Sequence, residues 1–272
     1  MSATTIHFVR HGKVYNPDHL LYERLPDFHL SDLGRRMAQA TAAYLANSPQ
    51  TNTISAVYFR LPLDRTRETA DAILDALNPV REARGEAPLM LTADERVIEA
   101  GNEFRGKRIG HGEGALWKNG NWKLVTNLYK PSWGESYQHI AQRMDDFARE
   151  KVAQHPGEQI VVVSHESPIF SYRHYLETGH PEHWMFLRHT ALASVTSVTY
   201  DNETGRVMSI TYVDPAANAS NGTLVLGHWF PSLRLSREAK QSSGLFVGED
   251  ELIGELLRRG RGPSAIAAEL SP

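Results

Sequence analysis

Four stretches of this sequence put charged or titratable residues directly after an apolar run. Ile6-His7-Phe8-Val9 leads into Arg10-His11-Gly12, and Ile160–Val163 leads into Ser164-His165-Glu166. The run Ile54–Phe59 is followed by Leu61-Pro62-Leu63-Asp64-Arg65-Thr66-Arg67, and Leu89–Thr92 by Glu95-Arg96-Val97-Ile98-Glu99-Ala100-Gly101-Asn102. Arginine offers a planar fork of donors matched to phosphate oxygens. A neutral imidazole nitrogen can attack phosphorus and carry it as a phosphohistidine, and a carboxylic acid can protonate the departing alkoxide. Arginines and a second histidine aimed at the equatorial oxygens stabilise the charge that spreads there. By analogy with an oxyanion donor, each is worth about 3 kcal/mol of barrier. Taken singly the signals are weak. A lone Arg-His-Gly is more often chance than chemistry, Arg65 alone would read as a solvated helix opener, and Glu99 alone as a cap.

What joins them is position. Short β-branched and apolar runs alternate with helical patterns, which predicts an α/β fold, three layers α/β/α around a mostly parallel central sheet. The strands expected are Ile6–Val9, Ile54–Phe59, Leu89–Thr92, Ile160–Ser164, Ala193–Tyr200 and Val207–Val213. The last two flank the turn-rich Asp201–Gly205 and read as a hairpin. Ser31 is the expected N-cap of a first helix carrying Leu33, Met37, Ala40 and Tyr44 inward. A second helix starts near Arg65 with Ala70, Ile73 and Leu77 on one stripe. A third follows Gly134-Glu135-Ser136 towards Gln154, with Ile140, Met144 and Phe147 inward, and a fourth follows Pro168. Loops after parallel strands gather along one sheet edge, where ligands bind in open α/β folds. Two histidines, at least two arginines and a glutamate are thereby expected to meet in one pocket.

Composition narrows the classes. The chain has 272 residues, 41 % apolar and 22 % charged, with a net charge of −3. That is ordinary globular usage, with no basic excess for nucleic acid and no run of about eighteen apolar residues for a membrane. There is no cysteine, so disulfides and thiolate chemistry are excluded, and a cytoplasmic location is expected. Residues 105–134 mix Trp117, Trp122, Tyr129 and Trp133 with Lys107, Arg108, Lys118, Lys123 and Lys130 and little periodicity, and read as a cover over the pocket. The stretch from 214 onward begins like a linker and ends in an amphipathic helix, Glu249–Arg259, whose charge order suits the helix dipole. It is expected to be a C-terminal extension to a catalytic domain spanning 1–213.

Residues 5–213 resemble the histidine phosphatase superfamily, whose fold is phosphoglycerate mutase-like. Arg10-His11-Gly12 is similar to the family's Arg-His-Gly signature, which implies His11 as nucleophile and Arg10 as phosphate ligand. Leu61–Thr66 resembles its Ser-Pro-Leu-x-Arg-Thr, which implies Arg65 as the second phosphate ligand. Glu99 stands at the proton donor's place, with Phe104-Arg105-Gly106 resembling the Trp-Glu-Gly that follows. His165 resembles the family's second histidine, Asn16 the asparagine that helps hold phosphate, and Gly134-Glu135-Ser136 with Arg143 the family's Gly-Glu-Ser helix start. Three departures stand out. Leu61 replaces a serine, Glu166 replaces a glycine and becomes a rival proton donor to Glu99, and Lys13-Val14-Tyr15 differs from the mutase pattern. The resemblance therefore implies a phosphomonoester hydrolase acting on a small phosphorylated substrate, without metal or other cofactor. A phosphoglycerate-type mutase and an inactive phospho-ligand-binding relative are the alternatives, and a homo-oligomer is open. Arg67 reads as a surface ion-pair residue, Glu135 and Ser136 as a helix start, and His183 and His189 as structural.

Overall fold

The computed structural model describes residues 2–47, 53–60, 62–125, 129–130, 134–183 and 190–217. The chain divides into two units, Met1–Trp229 and Phe230–Pro272, and every described residue belongs to the first. The expected helix Glu249–Arg259, Leu61, Trp133 and His189 lie outside the described residues.

Strand β1 (Ala3–Arg10) is followed by helix α1 (Asp32–Asn47), β2 (Ile54–Phe59), α2 (Asp64–Glu82), β3 (Leu91–Ala93), α3 (Tyr137–Gln154), β4 (Gln159–Ser164), α4 (Glu166–Thr178), β5 (Val195–Asp201) and β6 (Val207–Val213). The strands form one sheet in the order β3-β2-β4-β1-β5-β6. Pairs β3–β2, β2–β4 and β4–β1 are parallel, and β5 alone runs against its neighbours β1 and β6. Both sheet faces are covered. Ile6, Phe8, Ile160 and Val162 pack with Met144, Phe147, Ile169 and Tyr172 of α3 and α4. Val9, Val57, Val161 and Val163 pack with Ala42, Leu45, Ile73 and Leu77 of α1 and α2. The unbroken Val161-Val162-Val163 run is the pattern of a strand buried on both faces.

Several boundaries differ from the sequence reading, each for a local reason. Leu89 is not in β3, because the Asn78 side chain takes both its N–H (2.7 Å) and its C=O (3.2 Å). The fifth strand starts at Val195 rather than Ala193, because Ala193 has φ 58° and the chain turns there, Ser194 donating to Ala191. Helix α4 begins before Pro168, which sits in the first turn where its missing N–H costs no intrahelical bond. In α1 the N-cap is Ser31 as expected, its Oγ 3.1 Å from Gly34 N. The inward face, however, is Gly34, Met37, Ala38, Thr41, Ala42 and Leu45, with Leu33, Ala40 and Tyr44 half-buried at its edge. Gly34 explains the rotation. A Cβ there would lie 1.9 Å from the Lys13 carbonyl, and one on Gly12 would lie 2.5 Å from the Gly34 carbonyl. The loop after β1 thus lies directly on the start of α1, a contact only glycines allow.

Candidate active site

β1 and β4 run parallel and in register, with Arg10 opposite Ser164, so His11 and His165 leave adjacent strands at the same edge. The main chain at His11 is pinned from two sides. Its N–H donates to Ser164 (3.1 Å), and its carbonyl accepts from Ala193 (3.3 Å). Gly12 N–H donates to Thr69 Oγ1 (3.2 Å), whose hydroxyl in turn donates to the Arg65 carbonyl (2.7 Å), tying the first motif to α2. The two imidazole rings lie 5.2 Å apart, and both are buried.

His11 Nδ1 is 2.8 Å from the carbonyl of Gly12. A carbonyl only accepts, so Nδ1 carries the hydrogen and Nε2 carries the lone pair. Burial, followed by the Arg65 and Arg10 guanidiniums, holds the His11 pKa well below 6.5, against the pull of the Gly12 carbonyl. The ring is therefore neutral at physiological pH. His165 is shifted the same way, by burial first and then by Arg65, His11, Arg143 and Arg10.

Arg65 is fully buried and opens α2. Its terminal nitrogens donate to the carbonyls of Leu25 (3.3 Å) and Glu23, and its guanidinium carbon sits 4.8 Å from the centre of the Tyr22 ring. Arg10 donates to the Thr190 carbonyl and pairs with Glu166 at 3.2 Å. Among the described residues, Arg10 Nε, Arg65 Nε and both ring nitrogens of His165 are buried without a hydrogen-bond partner. Each unmatched buried polar atom costs about 1–3 kcal/mol. Both guanidiniums act on His11 and His165, and His165 is the N-cap of α4, a set of groups suited to an oxyanion.

Glu99 joins this shell, its Oε2 3.9 Å from His165 Nδ1. The segment that carries it is held carbonyl by carbonyl. Arg143 takes the Arg96 carbonyl, Ser164 Oγ the Val97 carbonyl (2.7 Å) and Arg24 Nε the Glu99 carbonyl (2.8 Å). Both arginines are fixed by one buried carboxylate, Glu135, which accepts from Arg143 Nε (2.8 Å) and Nη2 (3.2 Å) and from Arg24 Nη2 (3.0 Å). Burial alone would raise the Glu135 pKa, but Arg143, Arg24 and His139 hold it below the ordinary value. Gly101 and Gly134 meet backbone to backbone here, since a Cβ on Gly134 would lie 1.7 Å from the Gly101 oxygen.

The structure thus gathers His11, His165, Arg10, Arg65 and Glu99 at one edge. Asn16 is engaged with its own loop. Its amide donates to the Leu20 carbonyl (2.8 Å) and its Oδ1 accepts from Leu20 N–H (3.1 Å), which closes a turn. Arg67 is exposed and lies 3.7 Å from Asp71, and His183 packs on Tyr137 and Phe170. Two residues of the shell carried no signal in the sequence. Tyr22 stands edge-on to His11, ring centres 6.3 Å apart, and stacks on Phe28. Burial raises its phenol pKa, and the phenol feels Arg10, Arg65, Glu99 and Glu166 at once. Arg24 is the other. Ser136 caps α3, as expected of a helix start, and Glu135 just before it anchors the Glu99 segment. Among the described residues no group of three or more histidines or carboxylates is placed to hold a metal ion, and no helix is long and apolar enough to cross a membrane.

A family model for the histidine phosphatase superfamily, branch 1, matches residues 6–212. The chain belongs to the histidine phosphatase superfamily. An uncharacterized protein of Mycobacterium tuberculosis is 39 % identical over 215 residues, 79 % of this chain and 98 % of that protein. Solved structures share this histidine phosphatase fold. A mycobacterial glucosyl-3-phosphoglycerate phosphatase is 22 % identical with TM-score 0.59, over 78 % of this chain and 99 % of its own. The α-ribazole phosphatase of Shigella flexneri is 19 % identical with TM-score 0.60, over 78 % and 97 %. A phosphoserine phosphatase of Entamoeba histolytica is 17 % identical with TM-score 0.59, over 78 % and 99 %.

Proposed function

We propose that this histidine phosphatase superfamily member hydrolyses the phosphomonoester of a small metabolite through a phosphohistidine at His11. The observation that carries the reading is the His11 ring itself. It is buried and neutral, its Nδ1 hydrogen is committed to Gly12, and its bare Nε2 belongs to a shell containing two guanidiniums. Nε2 attacks phosphorus in line, and the P–O bond to the leaving group breaks as the N–P bond forms. Arg10, Arg65 and His165 hold the equatorial oxygens. Glu99 delivers its proton to the leaving oxygen and, now a carboxylate, takes a proton from the water that attacks phosphorus next. The N–P bond breaks, phosphate departs, and the Nε2 lone pair returns.

Release to water rather than return to a second substrate is supported by Lys13-Val14-Tyr15, which departs from the mutase pattern, and by the phosphatases among the structural neighbours. The small phosphorylated molecules after which those phosphatases are named favour a small metabolite for this chain too. We place the activity in the cytoplasm, in keeping with the cysteine-free sequence. The segment after Phe104 borders the site through Gly106 and Lys107, which bond to both backbone groups of Leu21 (each 2.9 Å). We read it as the element that selects the leaving group. The test is His11→Ala. Hydrolysis of p-nitrophenyl phosphate should fall by about 10⁴-fold or more with the thermal unfolding transition kept. Retained hydrolysis would overturn the reading.

A further inference from the structure

Among the described residues, Glu166 is the one carboxylate that pairs directly with a phosphate-binding arginine of this site. It is the first residue of α4, immediately after His165, and its Oε2 lies 3.2 Å from Arg10 Nη2. Which nitrogen it occupies matters. A guanidinium binds an oxyanion in bidentate fashion most directly along its Nε–Nη2 edge. This molecule uses that edge twice elsewhere, Arg143 on Glu135 (2.8 and 3.2 Å) and Arg96 on Asp94 (2.9 and 2.7 Å). On Arg10 the same edge is split. Nη2 faces Glu166, Nε is buried with no partner, and Nη1 is committed to the Thr190 carbonyl. A phosphate reaching for the Arg10 fork must share or displace the Glu166 carboxylate, and must accept a negative charge beside its own.

We propose that Glu166 is a built-in competitor of phosphate at Arg10, a specificity-determining residue that weakens the hold on free phosphate and so hastens product release. The proposal rests on the phosphatase reading above and deepens it. Glu166 then has a role distinct from that of Glu99. Glu99 is held by its backbone on a rigid segment next to His165, whereas Glu166 faces the guanidinium and is 29 % exposed, free to swing into water when an anion arrives. A phosphatase gains from such a residue, because inorganic phosphate is the product it must lose. An enzyme that keeps and returns its phosphoryl group gains nothing from it.

The test is calorimetric titration of the full chain with inorganic phosphate, together with kcat and KM for p-nitrophenyl phosphate, in the wild type, Glu166→Gln and Glu166→Ser. Thermal unfolding confirms that each variant is folded. Removing a charge from a partly exposed pair should tighten phosphate by about threefold to tenfold in both variants. KM should fall in parallel, and kcat should fall where phosphate release limits turnover. Unchanged or weaker phosphate binding in both folded variants overturns the proposal. So does a kcat loss in the variants that grows with the pKa of the leaving group, which would make Glu166 the proton donor instead. Phosphate binding by the wild type keeps the anion site itself intact in either case. If neither the wild type nor the variants bind phosphate, both the competitor role and the phosphatase reading fall.

Discussion

The sheet edge and the segment 107–125 are built on opposite principles. At the edge, His11, Arg65 and His165 are buried, their backbones are held by adjacent strands and helices, and the Arg96, Val97 and Glu99 carbonyls each accept from a side chain. In the segment, Trp117 is 78 % exposed and Trp122 54 %, and order comes from short 3-10 turns over Gly112–Gly114 and Asn121–Val125 and from Asn121, whose amide bonds the Glu113 and Ala115 carbonyls (2.9 Å each). Few buried apolar contacts mean low local stability and easy change. A rigid edge can keep one chemistry, electrostatic stabilisation without reorganisation, while an open segment can vary the molecule that is presented to it.

That contrast can be broken at several points. Arg65→Lys keeps the charge and loses the fork, and it should lower kcat/KM by about 100-fold. Steady-state kinetics on p-nitrophenyl phosphate will show it, and a change below about threefold would mean that the edge is not preorganised around Arg65. Glu135→Gln loosens Arg24 and Arg143 together. We expect kcat to drop by about 10- to 100-fold with KM nearly unchanged, because Glu99 shifts, and stability to fall by about 3 kcal/mol, as when a buried pair loses a partner. Urea unfolding alongside kinetics separates the two effects.

A third prediction concerns pH. His7, His11 and His165 are all lowered below 6.5, burial being the largest cause in each. Below pH 6.5 the unfolded chain takes up protons that the folded chain refuses. Stability is therefore fully present above that pH and is lost as pH falls, by up to about 1.4 kcal/mol per pH unit for each histidine. Exposed His29, raised by Glu68, works in the opposite sense above 6.5. Denaturant melts at pH 7 and 5.5 should show the loss, and His11→Ala should flatten it. The smallest effect belongs to the segment. Trp117→Ala and Trp122→Ala should move stability by no more than about 0.5 kcal/mol, leave p-nitrophenyl phosphate turnover within about twofold of the wild type, and alter the ranking of metabolites on a phosphoester panel.

Much of the edge was legible because its logic is periodic. Ile54–Phe59 and Val207–Val213 are strands over their full expected length, and parallel strands bring Arg10, His11, Arg65, Glu99 and His165 to one side whatever the loops do. What escaped depends on loop paths and single side-chain bonds. Tyr22 and Arg24 reach the site along the irregular loop before α1, where no period marks them. Asn78 removes Leu89 from a strand that its composition favours, and the Gly34 contact turns α1 by about one residue. Glu135 reads locally as a helix start, and its hold on Arg24 spans 111 positions of sequence. Such contacts are tertiary, and local pattern does not encode them.

The proposed hydrolysis requires covalent chemistry at one nitrogen, and rapid quench of the enzyme with a ³²P-labelled phosphomonoester would trap it. A phosphohistidine at His11 gives a labelled protein whose phosphate is stable in alkali, labile in acid and located by peptide mass spectrometry on His11, with no label in His11→Ala. Label on another residue, or full turnover without any labelled protein at the shortest quench times, would contradict it.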